Sequence, residues 1–269
     1  MGLSKLIKDK AVELGLDLVG ITDAGPIDGG HRQVLEEWVS RGYAGQMHYM
    51  ERNLEKRANP SVLMKGGRSV IVAGVNYTPP PEPPVDKSNN LGRVANYARY
   101  DDYHSFMNDE AGTECKFKLC VDSAPLAERS VAVKAGIGYT GKNHMLINQR
   151  FGSQLFLGEI ITNLELEYDE PSEQSCGECG ACVKACPTGA LRADGQFDAE
   201  KCISYLTIEY DGKIPEGLQQ AVGNRVFGCD NCVMACPVQK NSPVFENTEL
   251  RYHPERAWLR LNEILEMTA

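Results

Sequence analysis

The sequence predicts an α/β domain with a small cysteine-rich appendage, and three observations carry that prediction. Apolar stretches of helical and strand period alternate through about residue 165, eight of the ten cysteines crowd into residues 176–236, and 42% hydrophobic content suits one sizeable core. Leu3, Leu6, Ile7, Ala11 and Leu14 share one helical face, and Gly15 stands where that helix would stop. Leu16–Ile21 reads as a short strand. Val34, Leu35, Trp38 and Val39 repeat the helical period, Glu51–Asn59 is polar and basic, and the β-branched content of Ser69–Val75 marks a buried strand. Lys118–Val121 reads as a strand, Leu126–Ala135 as a helix and Gln154–Ile161 as a third good strand. Pro79–Pro84, continuing to Asn90, has the composition of a surface loop. Pro171–Ser175 is the expected junction, dividing the chain into segments 1–170, 171–240 and 241–269. The last is irregular until a short helix over Trp258–Met267.

The cysteines form two linked runs. Cys176-x2-Cys179-x2-Cys182-x3-Cys186-Pro187 is followed by Cys202 and by Cys229-x2-Cys232-x3-Cys236-Pro237. Two 4Fe-4S clusters account for this pattern. Each cubane takes four thiolates, short C-x2-C steps wrap three corners, and the fourth cysteine before proline reaches the other cluster. The second run has only three cysteines, so Cys202 completes its count. The expected sets are Cys176, Cys179, Cys182 and Cys236 on one cluster, and Cys186, Cys202, Cys229 and Cys232 on the other. Structural zinc would be satisfied by two C-x2-C pairs and has no use for the crossed C-x3-C-P step. Disulfides are set aside by the expectation that no secretory signal precedes the chain. Clusters and free thiols point to a reducing cytoplasm. A formal charge of −9 argues against nucleic-acid binding by bulk electrostatics, but a local basic face can still hold phosphates. No apolar run approaches the roughly 18 residues that cross a bilayer.

Other motifs are weaker. Gly136-Ile137-Gly138-Tyr139-Thr140-Gly141-Lys142-Asn143 matches G-x-G-x-x-G and nearly matches a P-loop. A dinucleotide fingerprint must leave a strand, whereas Arg129–Ala135 reads as helix, and the P-loop needs Ser or Thr where Asn143 stands. The glycines suit either a loop against a bulky cofactor or a helix C-cap with a tight turn. Asp122, in Asp122-Ser123-Ala124-Pro125 at a strand end, is by itself more often a helix N-cap than an acid. His31, His48, His104, His144 and His253 show no metal-ligand spacing. Asp102-Tyr103-His104 lacks the downstream glycine of the motif in which histidine becomes the lower ligand of cobalamin. Cys115 and Cys120 read as inert thiols.

Taken together, these segments resemble the epoxyqueuosine reductases, cobalamin-dependent iron–sulfur enzymes of tRNA wobble modification. The resemblance runs through Met50-Glu51-Arg52-Asn53 with Lys56-Arg57, Asp102-Tyr103-His104, Val121 to Pro125 with Glu128-Arg129, and Lys134 to Asn143. It continues through Gly158-Glu159, both cysteine runs, Cys202 to Glu209, Asn224-Arg225 and Gly228-Cys229-Asp230. It implies that the α/β domain is cobalamin-binding and catalytic, and that segment 171–240 is a two-cluster ferredoxin-like module. It also implies reduction of epoxyqueuosine to queuosine in tRNA, with electrons passing through the clusters to a base-off cobalamin. Asp122 is carried over as the acid. A free aspartate, with pKa about 3.9, is mostly ionised at neutral pH, so the role implies burial beside the corrin and a raised pKa. Arg57, Asp122, Lys142, Asn143, Leu146, Leu157, Ser204 and Asp230 are carried over for the corrin pocket, and Glu128, Arg129 and Arg225 for the tRNA side. An external low-potential donor is the further partner.

Two departures from the family pattern stand out. Ser105–Glu114 is shorter and less helical than the usual helix before the Asp122 strand, and segment 241–269 lacks the extended C-terminal helical region of many members, as a truncated tRNA-binding region would. Two alternatives keep part of the pattern. One is a two-cluster ferredoxin-like electron-transfer protein, and the other is a dehalogenase-like cobalamin reductase. The Asp122 context speaks against the first. The second would more naturally protonate through a tyrosine with a basic neighbour, which the sequence does not reveal.

Overall fold

The computed structural model describes residues 2–27, 29–84, 90–103 and 116–267. His104, Ser105–Glu114, Cys115 and residues 85–89 of the proline-rich loop lie outside the described residues. Among the described residues, nine strands occur: β1 (Leu18–Asp23), β2 (Ser69–Asn76), β3 (Leu91–Val94), β4 (Phe117–Cys120), β5 (Tyr139–Thr140), β6 (Leu146–Ile147), β7 (Leu155–Thr162), β8 (Arg225–Phe227) and β9 (Trp258–Arg260). They make a four-stranded sheet in the order β1-β2-β7-β4, a three-stranded sheet β8-β3-β9 and the hairpin β5-β6.

The α/β class is as expected, but the direction of the strands is not that of a wound parallel sheet. Every pairing in the four-stranded sheet is antiparallel. Sequence alternation of helix and strand says which elements are present; it does not say which way each strand runs. One face of β2 and β7 presents Val70, Val72, Leu155, Leu157 and Ile161 to Val131, Ala132 and Ala135, at and just beyond helix Glu128–Lys134. Burial of each larger side chain contributes about 1.5–3 kcal/mol. The opposite face carries Val75 and Phe156 into an aromatic cluster with Tyr77 and Tyr100, where Tyr103 stacks on Phe156 at 4.3 Å. Helix Leu3–Glu13 forms as its period predicts, yet Leu3, Leu6 and Leu14 are exposed, and Ser4 and Ala11 are the buried positions. The helix is rotated by polar ties, because the Ser4 hydroxyl accepts the Glu167 N–H and Lys8 pairs with Asp169.

The cysteine-rich segment is built from short helices around Ala199, Ile203, Tyr205, Leu206 and Val222. Hydrogen bonds tie it to the α/β layer, two of them short. The Trp38 indole N–H, on helix Gly29–Ser40, donates to the Phe197 carbonyl at 2.7 Å, and the Gln46 N–H donates to the Tyr205 hydroxyl at 2.7 Å.

The three-stranded sheet binds the chain together. β3 lies at its centre, parallel to β8 and antiparallel to β9. Segments 1–170, 171–240 and 241–269 therefore each supply one strand. The expected helix over Trp258–Met267 is corrected: Trp258–Arg260 pairs with β3, and the helix occupies Leu261–Met267. Among the described residues, no helix is long and apolar enough to cross a membrane.

Beside this sheet, Arg99 is fully buried and donates through Nε and Nη2 to the Val94 carbonyl at 3.1 and 2.7 Å. Its Nη1 pairs with Glu82, whose other oxygen accepts the Trp258 indole N–H at 3.3 Å. Burial alone would raise the Glu82 pKa, but Arg99, helped by Arg93, holds it below the ordinary 4.5. A lowered folded-state value means that the stabilisation is complete above the unfolded pKa and is lost as pH falls through the folded one. Glu82→Gln is expected to cost about 3 kcal/mol at neutral pH by leaving a buried cation unpaired. In thermal unfolding at a series of pH values, the gap from wild type should narrow below about pH 4.

Candidate active site

Asp122 stands just beyond β4 with φ of 50°, in the left-handed region that aspartate tolerates better than most residues with a side chain. Its N–H donates to Oε1 of Glu128 at 2.6 Å. The N-cap reading of Asp122 is corrected by the helix itself, which begins at Glu128 with Ala127 at its N-cap. The contact runs the other way, from the first helical turn back to the strand end. The Ala127 N–H donates to the Arg57 carbonyl at 3.0 Å, which ties this loop to the basic helix Leu54–Ala58. Asp122 is exposed, so the burial implied for an acid is not supplied by the chain's own side chains.

Three phenols feel the charge of this aspartate. Burial first, then Glu209 and to a smaller degree Asp122, push the Tyr49 hydroxyl up to about 12. Burial, Asp230 and Asp122 raise Tyr97 to about 12, and burial followed by Asp122 and Glu128 raises Tyr103 as well. All three are therefore hydrogen-bond donors at neutral pH. Tyr49 donates to Glu209 at 3.2 Å, and Nη2 of Arg57 donates to the Tyr49 carbonyl at 3.1 Å. Tyr49 and Tyr97 escaped the sequence reading, although Tyr49 adjoins the Met50-Glu51-Arg52-Asn53 segment that drew attention.

Tyr97 also faces the cysteine module. The Asn96 N–H donates to Oδ2 of Asp230 at 2.8 Å, and the Ala95 N–H to the Phe227 carbonyl at 2.9 Å. Between them, Gly228 has φ of 72°, and a Cβ there would meet that of Ala95 at 2.6 Å. Glycine is needed both for the conformation and for the approach. A cavity of about 520 Å³ opens beside this turn, lined by Arg93, Arg225, Cys229, Asp230, Met234 and Trp258 among others. Burial raises the Asp230 carboxyl, against the Asn96 hydrogen bond.

The sulfurs fall into two groups. Cys176, Cys179, Cys182 and Cys236 line one small cavity together with Lys142, Asn143 and Ile147. Cys232 is crowded by the others: burial first, then Cys229, Cys202, Cys186 and Cys182, push its thiol up to about 12. Cys186 goes the other way, because N–H groups of Leu191, Thr188 and Ala190 and the Thr188 hydroxyl outweigh burial and lower it. Such donors suit a metal-bound thiolate. Among the described residues no three His, Cys, Asp or Glu side chains close around a single metal ion, and the corners of a cubane ask for a wider ring.

The remaining expected site residues are dispersed. Lys142 and Asn143 stand on the wall of the Cys176 cavity, and the Asn143 amide reaches the Cys232 carbonyl at 3.5 Å. Ser204 is half-buried in the helix that follows Cys202, and its backbone N–H faces that sulfur. Leu146 and Leu157 are buried in the main core. Arg129 donates to the His144 carbonyl at 2.5 Å, while Arg225 donates to the Val222 carbonyl and to Asn231, both at 2.9 Å. The glycines from Gly136 onward serve the chain's own backbone. Gly136, with φ of 72°, follows the helix and backs onto the Glu170 carbonyl, and Gly138 backs onto that of Ile147.

Removing the Glu128 carboxylate should loosen the Asp122 turn selectively. Glu128→Ala is expected to speed amide hydrogen exchange at Asp122 by roughly tenfold, corresponding to about 1.4 kcal/mol for one hydrogen bond to a charged acceptor, while the Cys120 amide keeps its protection.

Comparison with known proteins identifies the family. The family described as epoxyqueuosine reductase QueG, DUF1730 matches residues 57–123, and a 4Fe-4S double cluster binding domain matches residues 175–239. A reductive dehalogenase structure shares the fold alone, with a TM-score of 0.53 at 14% identity over 91% of this chain and 32% of that one. A crystal structure of epoxyqueuosine reductase with an epoxyqueuosine-modified tRNA stem loop superposes with a TM-score of 0.89 at 32% identity, covering 98% of this chain and 72% of that one. The epoxyqueuosine reductase of Vibrio cholerae is 39% identical over 259 residues, 92% of this chain and 70% of the relative. Likeness at that level over that length places the protein: the chain belongs to the epoxyqueuosine reductase family.

Proposed function

We propose that this oxidoreductase converts epoxyqueuosine to queuosine in tRNA, with two 4Fe-4S clusters, a cobalamin and Asp122 as the proton donor. The observation that carries the reading is Tyr97, whose hydroxyl is within the electrostatic reach both of Asp230, which follows cluster cysteine Cys229, and of Asp122, whose turn is fixed by Glu128. Proton delivery and electron delivery then meet at one place. The net reaction takes two electrons and two protons, removes the epoxide oxygen as water and leaves an alkene.

The grouping of sulfurs supports the crossed ligand sets, with Cys176, Cys179, Cys182 and Cys236 for one cluster and Cys186, Cys202, Cys229 and Cys232 for the other. When bound, the cobalamin supplies reduced cobalt as the electron source at the epoxide carbon. Arg57, Asp122 and Asp230 would hold the corrin. Ser204, Lys142 and Asn143 would act from beside the sulfurs, and Leu146 and Leu157 from the core. Asp122 protonates the oxygen as the C–O bond breaks, and enclosure of its exposed carboxyl falls to the groups that pack over it. Glu128 holds the turn, so its contribution to tRNA is indirect. Arg129 and Arg225 keep only part of their N–H groups for phosphates. The reading makes segments 1–170, 171–240 and 241–269 catalytic domain, cluster module and RNA-facing tail, working in the cytoplasm with an external low-potential donor.

Purified anaerobically and loaded with cobalamin, the protein is expected to convert epoxyqueuosine tRNA, measured by nucleoside mass spectrometry. Absence of turnover under strong reduction, with both clusters present, would favour the electron-transfer alternative. Asp122→Asn should retain iron and corrin but lose turnover by at least about 10²-fold, the usual scale for a general acid. Cys202→Ala should lower the iron content toward that of one cluster, and an unchanged iron count would break the crossed assignment.

A further inference from the structure

The epoxide oxygen needs two protons to leave as water, and a single carboxyl holds only one. Asp122 must therefore be reloaded within the reaction, and Glu159 is a carboxyl that the mechanism has not yet used. It lies on β7, paired with Cys120 of β4 and Val72 of β2, on the face that turns Leu157 and Ile161 into the main core. It is 0% exposed, and neither oxygen has a hydrogen-bond partner among the described residues. An unpartnered carboxylate in such a place is costly, so the group is held in its neutral, protonated form. Burial first, then the charges of Glu128 and Asp122, raise it well above the ordinary 4.5. The titratable groups that face it are these two carboxylates and the Cys120 thiol, itself pushed up to about 11 by burial and then by Glu159. Its β2 partner, Val72, does not titrate.

We propose that Glu159 is the proton reserve of the Asp122 turn, passing its proton outward to Asp122 between the two protonations of the epoxide oxygen. This rests on the reductase reading. In the first transfer the Asp122 proton goes to the oxygen as one C–O bond breaks, leaving a hydroxyl. In the second, the proton of Glu159, relayed by Asp122, goes to that hydroxyl as the other C–O bond breaks, the alkene forms and water departs. The two electrons would be supplied by the clusters and the cobalamin when these are bound. Both carboxyls end ionised and take up two protons from solvent. Glu159 acts only through Asp122 and does not touch the substrate.

Infrared spectra of the cluster-loaded protein at neutral pH are expected to contain the carbonyl stretch of an un-ionised carboxylic acid that Glu159→Gln removes. In Asp122→Asn this band should vanish at lower pH than in wild type, because loss of a neighbouring negative charge makes ionisation easier. In turnover, Glu159→Gln should keep its iron content and its KM for tRNA. Its kcat should fall by roughly tenfold, and further as pH rises, because reloading then depends on protons from solvent. Glu159→Met, of similar volume and without the acid, should show the same profile if the amide disturbs folding. An acid band that survives Glu159→Gln, a band that Asp122→Asn leaves unmoved, or a pH profile parallel to wild type overturns the reserve. Failure of the wild type to turn over would count against the reductase reading alone, because the infrared arm requires no substrate.

Discussion

Gly228 lies so close to Ala95 that no side chain fits between them, and this approach fixes the geometry of the cavity that both residues line. The hydrogen bonds on either side, from Ala95 to Phe227 and from Asn96 to Asp230, are between groups far apart in sequence. A third, from the Gly228 N–H to the Thr207 hydroxyl at 2.9 Å, extends the tie to the helix that starts at Cys202. Cysteines from both parts of the module are thus set relative to the segment that carries Tyr97. Reactions that couple electron and proton delivery tolerate little misplacement, and a shift of about 1 Å can cost a hundredfold in rate. A rigid backbone contact serves that need better than a pair of long side chains.

The charge around the Asp122 turn has a similar economy. Asp122, Glu128 and Glu159 are progressively more buried, and their mutual repulsion is moderated by different means at each depth. The outermost is exposed, the second accepts a backbone N–H, and the innermost is neutralised by its own proton. The arginines follow another rule. Arg99, Arg129 and Arg225 satisfy protein carbonyls, so these three cations are committed at least in part to architecture. Binding of a polyanion must then rely on local placement rather than net charge.

What could be read from the sequence was local. The cysteine spacing is a local property of the chain, and β2, β4 and β7 announced themselves by composition within a residue or two of their observed ends. The three-stranded sheet was invisible because Leu91–Val94, Arg225–Phe227 and Trp258–Arg260 are each too short to show a period and gain their hydrogen bonds from distant partners. Asp122 drew attention as a strand-end carboxylate. Its true local context, a left-handed turn held by a carboxylate from the following helix, depends on where that helix begins. The glycines after Ala135 left two readings open, and the carbonyls of Glu170 and Ile147 favour the turn. Strand period puts Glu159 on the same face as Leu157, but only the assembled sheet reveals that this face is sealed.

The central place of β3 also bears on how the protein is made. Its two sheet partners are encoded more than a hundred residues downstream, so β3 leaves the ribosome long before either can pair with it. Until then it is an open edge, a template for mispairing with another nascent chain. The antiparallel core of β1, β2, β7 and β4 can form earlier, since none of it waits for residues beyond Thr162. Synthesis thus yields a folded platform, and the cavity lined in part by Trp258 is completed last, when β9 closes the second sheet.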